Sequence, residues 1–142
     1  MELSTLDSKV VSERGLTIIL TDPRTGGPLM HDDGEPMSVT VLGDDSQRMR
    51  DYDRKQQDEA IDQAKAGRKS TLTAVGIEAR NARRLAVATI HWHLDVIDGQ
   101  ALECTEANAF KVYSDSRFPW LYEQVATGRM ERARFFSGGS TS

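Results

Sequence analysis

Hydrophobic and polar positions change their period along this chain, and each change predicts a new element. Residues 16–21 form an apolar, β-branched run, which predicts a strand. Residues 37–43 alternate, so that Val39 and Val41 fall on one face and Ser38, Thr40 and Leu42 on the other, which predicts a second, half-buried strand. Between them, Asp22-Pro23, Gly26-Gly27-Pro28 and the stretch 31–36 are rich in turn residues, because proline presets φ and glycine admits positive φ. Two strands joined in this way predict a hairpin or small meander. A lone hairpin is marginal in water, so it must pack on helices or pair with a neighbouring copy.

Beyond Gly43 the period lengthens. Asp44, Asp45 and Ser46 suit a helix N-cap, and 46–66 reads as a very polar helix with sparse apolar residues, Met49, Tyr52, Ala60, Ile61 and Ala64. Residues 67–73 read as a break. A second helix is predicted over 74–90, with Val75, Ala79, Ala82, Leu85, Ala86 and Ile90 on one stripe and Arg80, Arg83 and Arg84 mostly opposite. On that reading His91 and His93 close the helix, where imidazoles sit well against its carbonyl end. Asp98-Gly99 marks a turn. Thr105 caps a short helix that turns Ala107, Phe110 and Tyr113 inward. Pro119 suits the first turn of a last helix with Phe118, Leu121, Tyr122 and Val125 on its apolar face, and Gly128 is placed to bend or end it. The fold class expected is α+β: an N-terminal β-hairpin or meander followed by about four helices, helix dominant. Residues 1–15 are expected to form a flexible arm, 16–136 a single domain and 137–142 a disordered tail.

Composition narrows the function classes. A chain of 142 residues suits one domain, and its 38% hydrophobic content with mean hydropathy −0.51 leaves little core to spare for a deep pocket. A formal net charge of −4 argues against a general nucleic-acid binder, which needs basic excess to meet phosphates. The single cysteine, Cys104, fits a reducing compartment. The N-terminus carries no signal-like apolar stretch and no run is long enough to span a bilayer, so a soluble, cytoplasmic protein is expected.

Candidate chemistry is thin. His91, His93, Cys104 and the distant His31 are the N/S ligand types, but zinc usually draws on two close pairs, and here there is one such pair and no C-x-x-C. Asp32-Asp33 and Asp44-Asp45 read as turn and cap residues outside any calcium-loop pattern. Cys104 has no basic sequence neighbour to activate it and reads as a structural thiol. No P-loop, G-x-G-x-x-G or G-x-S-x-G occurs. No catalytic, cofactor-binding or metal-ligating residue is therefore expected, and no enzyme. What remains is contact chemistry. Arg80, Arg83 and Arg84 form a basic stripe, with Arg129, Arg132 and Arg134 a second. Trp120, Phe135 and Phe136 are aromatic anchors near the C-terminus, of the kind enriched at protein interfaces.

Taken in order, several landmarks resemble the tail assembly chaperones of long-tailed, siphovirus-type bacteriophages. They are the N-terminal strand, the turn Asp22-Pro23-Arg24-Thr25-Gly26, and a second strand ending in Val41-Leu42-Gly43-Asp44-Asp45-Ser46. The charged helix follows from Gln47-Arg48-Met49-Arg50, then Trp92, Asp98-Gly99-Gln100-Ala101-Leu102, and Thr105 with Asn108-Ala109. The series closes on Phe118-Pro119-Trp120-Leu121-Tyr122-Glu123-Gln124-Val125 and Arg134-Phe135-Phe136. The resemblance spans residues 16–136, and the turn segment 22–36 is its least anchored part. It implies a non-catalytic morphogenesis factor in the cytoplasm of an infected bacterium. Its partners would be the tape-measure protein and the tail-tube protein, with self-association through a free strand edge. Two other classes compete: a structural virion protein of the tail or connector, and a small nucleic-acid-binding regulator using the arginine helix.

Overall fold

The structure is a computed structural model that describes residues 2–67 and 73–137, with side chains from 132 onward outside the description. The fold is α+β with helix dominant. A 3-10 turn (Leu3–Leu6) precedes helix α1 (Ser8–Arg14), strands β1 (Leu16–Ile19) and β2 (Ser38–Val41), and helices α2 (Gln47–Lys65) and α3 (Ala74–Ala88). Strand β3 (Thr89–His93) and helices α4 (Glu106–Tyr113) and α5 (Pro119–Ser137) complete it.

The sheet has the order β1-β2-β3, antiparallel throughout. Register places Ile18 opposite Val39 and Val39 opposite Trp92, and this cross-strand row is buried. On it pack Ala82, Leu85 and Ala86 of α3, Ala109, Val112 and Tyr113 of α4, and Leu121 and Val125 of α5, in one core. The other face carries Thr17, Thr40 and the two histidines of β3, with Thr17 Oγ1 and Thr40 Oγ1 3.0 Å apart. A register shift at Thr40/Val41 leaves Ile90 unpaired, a bulge on β3.

Helix starts at Ser46 and Thr105 follow the expected caps, and Thr73, within the expected break, caps α3 in the same way. Ser46 Oγ accepts the Met49 N–H at 3.3 Å, Thr73 Oγ1 the Gly76 N–H at 3.0 Å, and Thr105 Oγ1 the Asn108 N–H at 3.1 Å. In the polar helix α2, Met49 is the buried anchor and Tyr52 packs beside it, while Ile61 stays 52% exposed.

Four expectations need correction. The second helix stops at Ala88, and Thr89–His93 is a strand. Its β-branched residues and alternation suit the open edge of β2, and that pairing outweighs the helical spacing that Ile90 shares with Leu85 and Ala86. His91 and His93 therefore do not close a helix. Within residues 1–15, expected as a flexible arm, Ser8–Arg14 form a helix. Asp7 caps α1 through the Lys9 and Val10 N–H groups, Gly15 ends it at φ 84, and Ser12 is buried with its carbonyl accepting the Gly43 N–H. Ala107 faces solvent; Tyr113 is buried as expected, Phe110 is partly buried, and Ala109 and Val112 are the further inward residues of α4. Gly128 does not end α5, which runs on to Ser137. It lets the helix lie against β1, since a Cβ there would stand 3.0 Å from Ile18 Cγ2. The expected break at 67–73 lies outside the described residues from 68 to 72, as does the tail beyond Ser137.

The proline- and glycine-rich segment between β1 and β2 folds back on itself. Leu29 donates to the Leu20 carbonyl at 3.0 Å and Met37 to the Leu29 carbonyl at 2.7 Å, with bridges Thr21–Pro28 and Met30–Pro36. This brings the tip at 31–35 onto the sheet beside β3.

Candidate functional site

Two surfaces gather the residues singled out in the sequence. The first is an apolar groove of about 280 Å³ where the folded-back segment, the residues after β3 and the start of α5 meet. Leu29 and Met37 from the folded-back segment, Leu94, Val96 and Ile97 after β3, and Phe118 and Trp120 around the start of α5 line it. The two rings meet edge to face, with centroids 6.2 Å apart. Trp120 is held half-buried because Pro119 starts the helix and Leu121, next in sequence, is a core residue. Val96 is 55% exposed and extends the apolar rim. On the polar side, Arg117 grips Asp98 and Asp115 at 2.8 Å each, and this guanidinium holds the Asp115 carboxyl down to about 2. Asp98 itself takes φ 52 in the turn and is held low by the same arginine.

The second surface is the arginine face of α3. The structure separates its three members. Arg80 is exposed and has no ion-pair partner among the described residues. Arg83 lies over the Phe110 ring, 3.8 Å from its centroid, a cation–π contact that joins α3 to α4. Arg84 is an internal brace. Its Nε and Nη2 donate to the two carboxylate oxygens of Asp53 at 3.0 and 2.9 Å, and Nη2 reaches Asp44 at 3.0 Å. Arg129 from α5 donates to Asp44 at 2.7 Å and to the Leu42 carbonyl at 2.7 Å. Asp44 thus ties α3 to α5. Burial pushes its carboxyl up, the guanidiniums of Arg129 and Arg84 outweigh that, and the net displacement is downward. Arg84 is raised in turn, chiefly by its hydrogen bonds to Asp53.

Of the residues named from sequence, Trp120 stands in the groove, Arg80 and Arg83 flank the α3–α4 seam, and Arg84 is spent on internal pairing. The side chains of Phe135 and Phe136 lie outside the described residues. Sequence reasoning missed the partners of Arg84, because Asp44 and Asp53 are remote from it in the chain and Asp44 reads as a cap residue. It also missed the groove walls, which come from a loop that carries no periodic signal. Cys104 is half-buried, with burial pushing its thiol up, which suits packing rather than nucleophilic attack. Among the described residues, the ligand-type side chains that converge are His31, Asp33 and His93, on the opposite face of the sheet from the core.

No helix among the described residues is long and apolar enough to cross a membrane. Comparison of the chain with family models, with curated proteins and with solved structures gives no match.

Proposed function

We propose that this chain is a non-catalytic assembly factor of the tail-assembly-chaperone type, which binds the tape-measure protein of a long-tailed phage during tail morphogenesis in the host cytoplasm. The observation that carries the reading is the apolar groove that Phe118 and Trp120 help to line. A tape-measure protein is a long helical chain with apolar stripes, and a helix in a groove is read through anchors spaced by one turn. Half-buried aromatic side chains lining such a groove are the residue types that dominate binding energy. The ordered landmarks from residue 16 to 136 point the same way. Binding is stoichiometric: each copy would cover one apolar patch of its client until tube subunits replace it.

Co-expression with the tape-measure protein tests this. The proposal expects co-purification and a larger soluble fraction of the client, and expects Trp120→Ala and Val96→Asp to reduce both while the far-UV spectrum stays unchanged. An insoluble client with no co-purifying chain would overturn it.

A further inference from the structure

The tip of the β1–β2 connection places two imidazoles and a carboxylate together over the outer face of the sheet. His31 and Asp33 come from this tip and His93 from the end of β3, and one ligand atom from each lies within 4.8 Å of the others. The tip is held in shape by its own backbone. His31 N–H donates to the Glu35 carbonyl at 2.8 Å, Gly34 N–H to the His31 carbonyl at 3.0 Å, and Gly34 takes φ 88. Asp33 N–H donates to His31 Nδ1 at 3.1 Å, so that nitrogen bears a lone pair. Asp33 Oδ1 accepts the Glu35 N–H at 2.9 Å, which leaves Oδ2 turned to β3.

His93 supplies the decisive observation. Its Nε2 atom is covered and makes no hydrogen bond among the described residues, yet it lies 2.8 Å from Asp33 Oδ2. A carboxylate oxygen and a neutral imidazole lone pair repel at that distance unless a cation or a proton lies between them. The contact is short but not aligned as a hydrogen bond. The second imidazole stands against the first, with ring centroids 4.3 Å apart and planes 27° from parallel. Protonating both rings would place two like charges in van der Waals contact, whereas one divalent ion would serve both nitrogens and the carboxylate at once.

From this convergence we infer that His31, Asp33 and His93 form a binding site for a divalent transition metal of the zinc class. Imidazole nitrogen with one carboxylate is a donor set for such metals, and three protein ligands leave room for water to complete the sphere. Two ligands on tetrahedral zinc, each bonded at about 2.0–2.1 Å, sit about 3.3 Å apart, so loading would open the 2.8 Å contact between Asp33 Oδ2 and His93 Nε2 slightly. The neighbouring Asp32 and Glu35 add negative charge around the site. A loaded site would pin the long connection to the last strand of the sheet, which stands far from it in sequence. His91 points to the same face, but it is exposed and outside the cluster, and Cys104 is also outside it.

The test is titration of the tag-free full chain with zinc chloride by calorimetry, with cobalt(II) absorption as a second readout. The inference expects one equivalent bound, with a Kd on the order of micromolar or tighter, proton release on binding, and visible cobalt bands of a low-coordinate site. His93→Ala, His31→Ala and Asp33→Asn should each weaken binding by about tenfold or more, with His91→Ala and Cys104→Ser unchanged. Far-UV spectra identify any variant that has lost its fold, and Asp33→Asn, which keeps the shape of the turn residue, decides the matter if a histidine variant does not fold. Absence of saturable binding below about 100 µM, or binding that survives His93→Ala and Asp33→Asn, would overturn the assignment.

Discussion

The buried contact between Thr89 and Tyr113 allows the energetics of this core to be tested with a sign as well as a size. Thr89 sits at the joint where α3 gives way to β3, and its backbone N–H turns to the Ala86 carbonyl. Its hydroxyl fills the gap that this leaves, donating to the Leu85 carbonyl at 2.8 Å. With that proton committed, Thr89 Oγ1 serves as acceptor for the Tyr113 hydroxyl at 2.7 Å. Both residues are buried, at 4% and 5% exposure, and burial pushes the Tyr113 phenol well above its ordinary value. Thr89→Val keeps the volume and orphans two polar groups, the phenol and the Leu85 carbonyl. At roughly 1–2 kcal/mol for each unsatisfied buried group, the loss should be about 2–4 kcal/mol. Tyr113→Phe removes the phenol and leaves the Thr89–Leu85 bond in place, so it should cost about 0.5–1.5 kcal/mol. The double variant still leaves the carbonyl unmet, but no phenol is stranded. It should therefore be more stable than Thr89→Val alone, by about 1 kcal/mol, although it carries the additional substitution. Urea unfolding followed by the fluorescence of the buried Trp92 measures all four corners of the cycle. Additive losses, with the double variant the least stable, would refute the assigned donor direction and the reasoning built on it.

Other perturbations read other parts of the fold. Gly43→Ala would set a methyl group against Ser12, 3.0 Å from its Cα, and should cost about 1–3 kcal/mol with proteolysis increasing first within α1. Arg84→Lys keeps the charge but loses the two-pronged grip on Asp53, and should lower stability by about 1 kcal/mol in denaturant titration. Because the Asp44 carboxyl is lowered in the folded state, its pairing stabilises the protein above the unfolded-state value of 3.8 and is lost as pH falls through the lower folded value. Asp44→Asn should therefore flatten the acid limb of the stability–pH curve below about pH 4, while wild type keeps a steep one.

Much of the architecture was legible because it depends on local chemistry. Ser46 and Thr105 cap their helices through their own hydroxyls, and the alternation of Val39 and Val41 needed only to know that one face is buried. The errors arose where distant parts of the chain decide. Leu85, Ala86 and Ile90 keep a helical spacing, and only the open edge of β2 converts Thr89–His93 into a strand. Arg84 looked like a solvent-facing cation because its two aspartates lie far off in sequence. His31 and Asp33 could not be joined to His93 from spacing, since a folded-back connection brings them together. The i, i+2 spacing of His91 and His93 was itself a strand signature, and it was outvoted by the strong amphipathic helix before it.

The sheet order carries a consequence for synthesis. Its central strand is translated early, and its second neighbour emerges about fifty residues later, after two helices have passed through the ribosome tunnel. At roughly 5–20 residues per second that interval lasts several seconds, during which Val39 and Val41 have a partner on one flank only. A nascent chain in this state carries an adhesive border, so a mutation that slows β3 closure should reduce yield in the cell even where the finished protein is as stable as before.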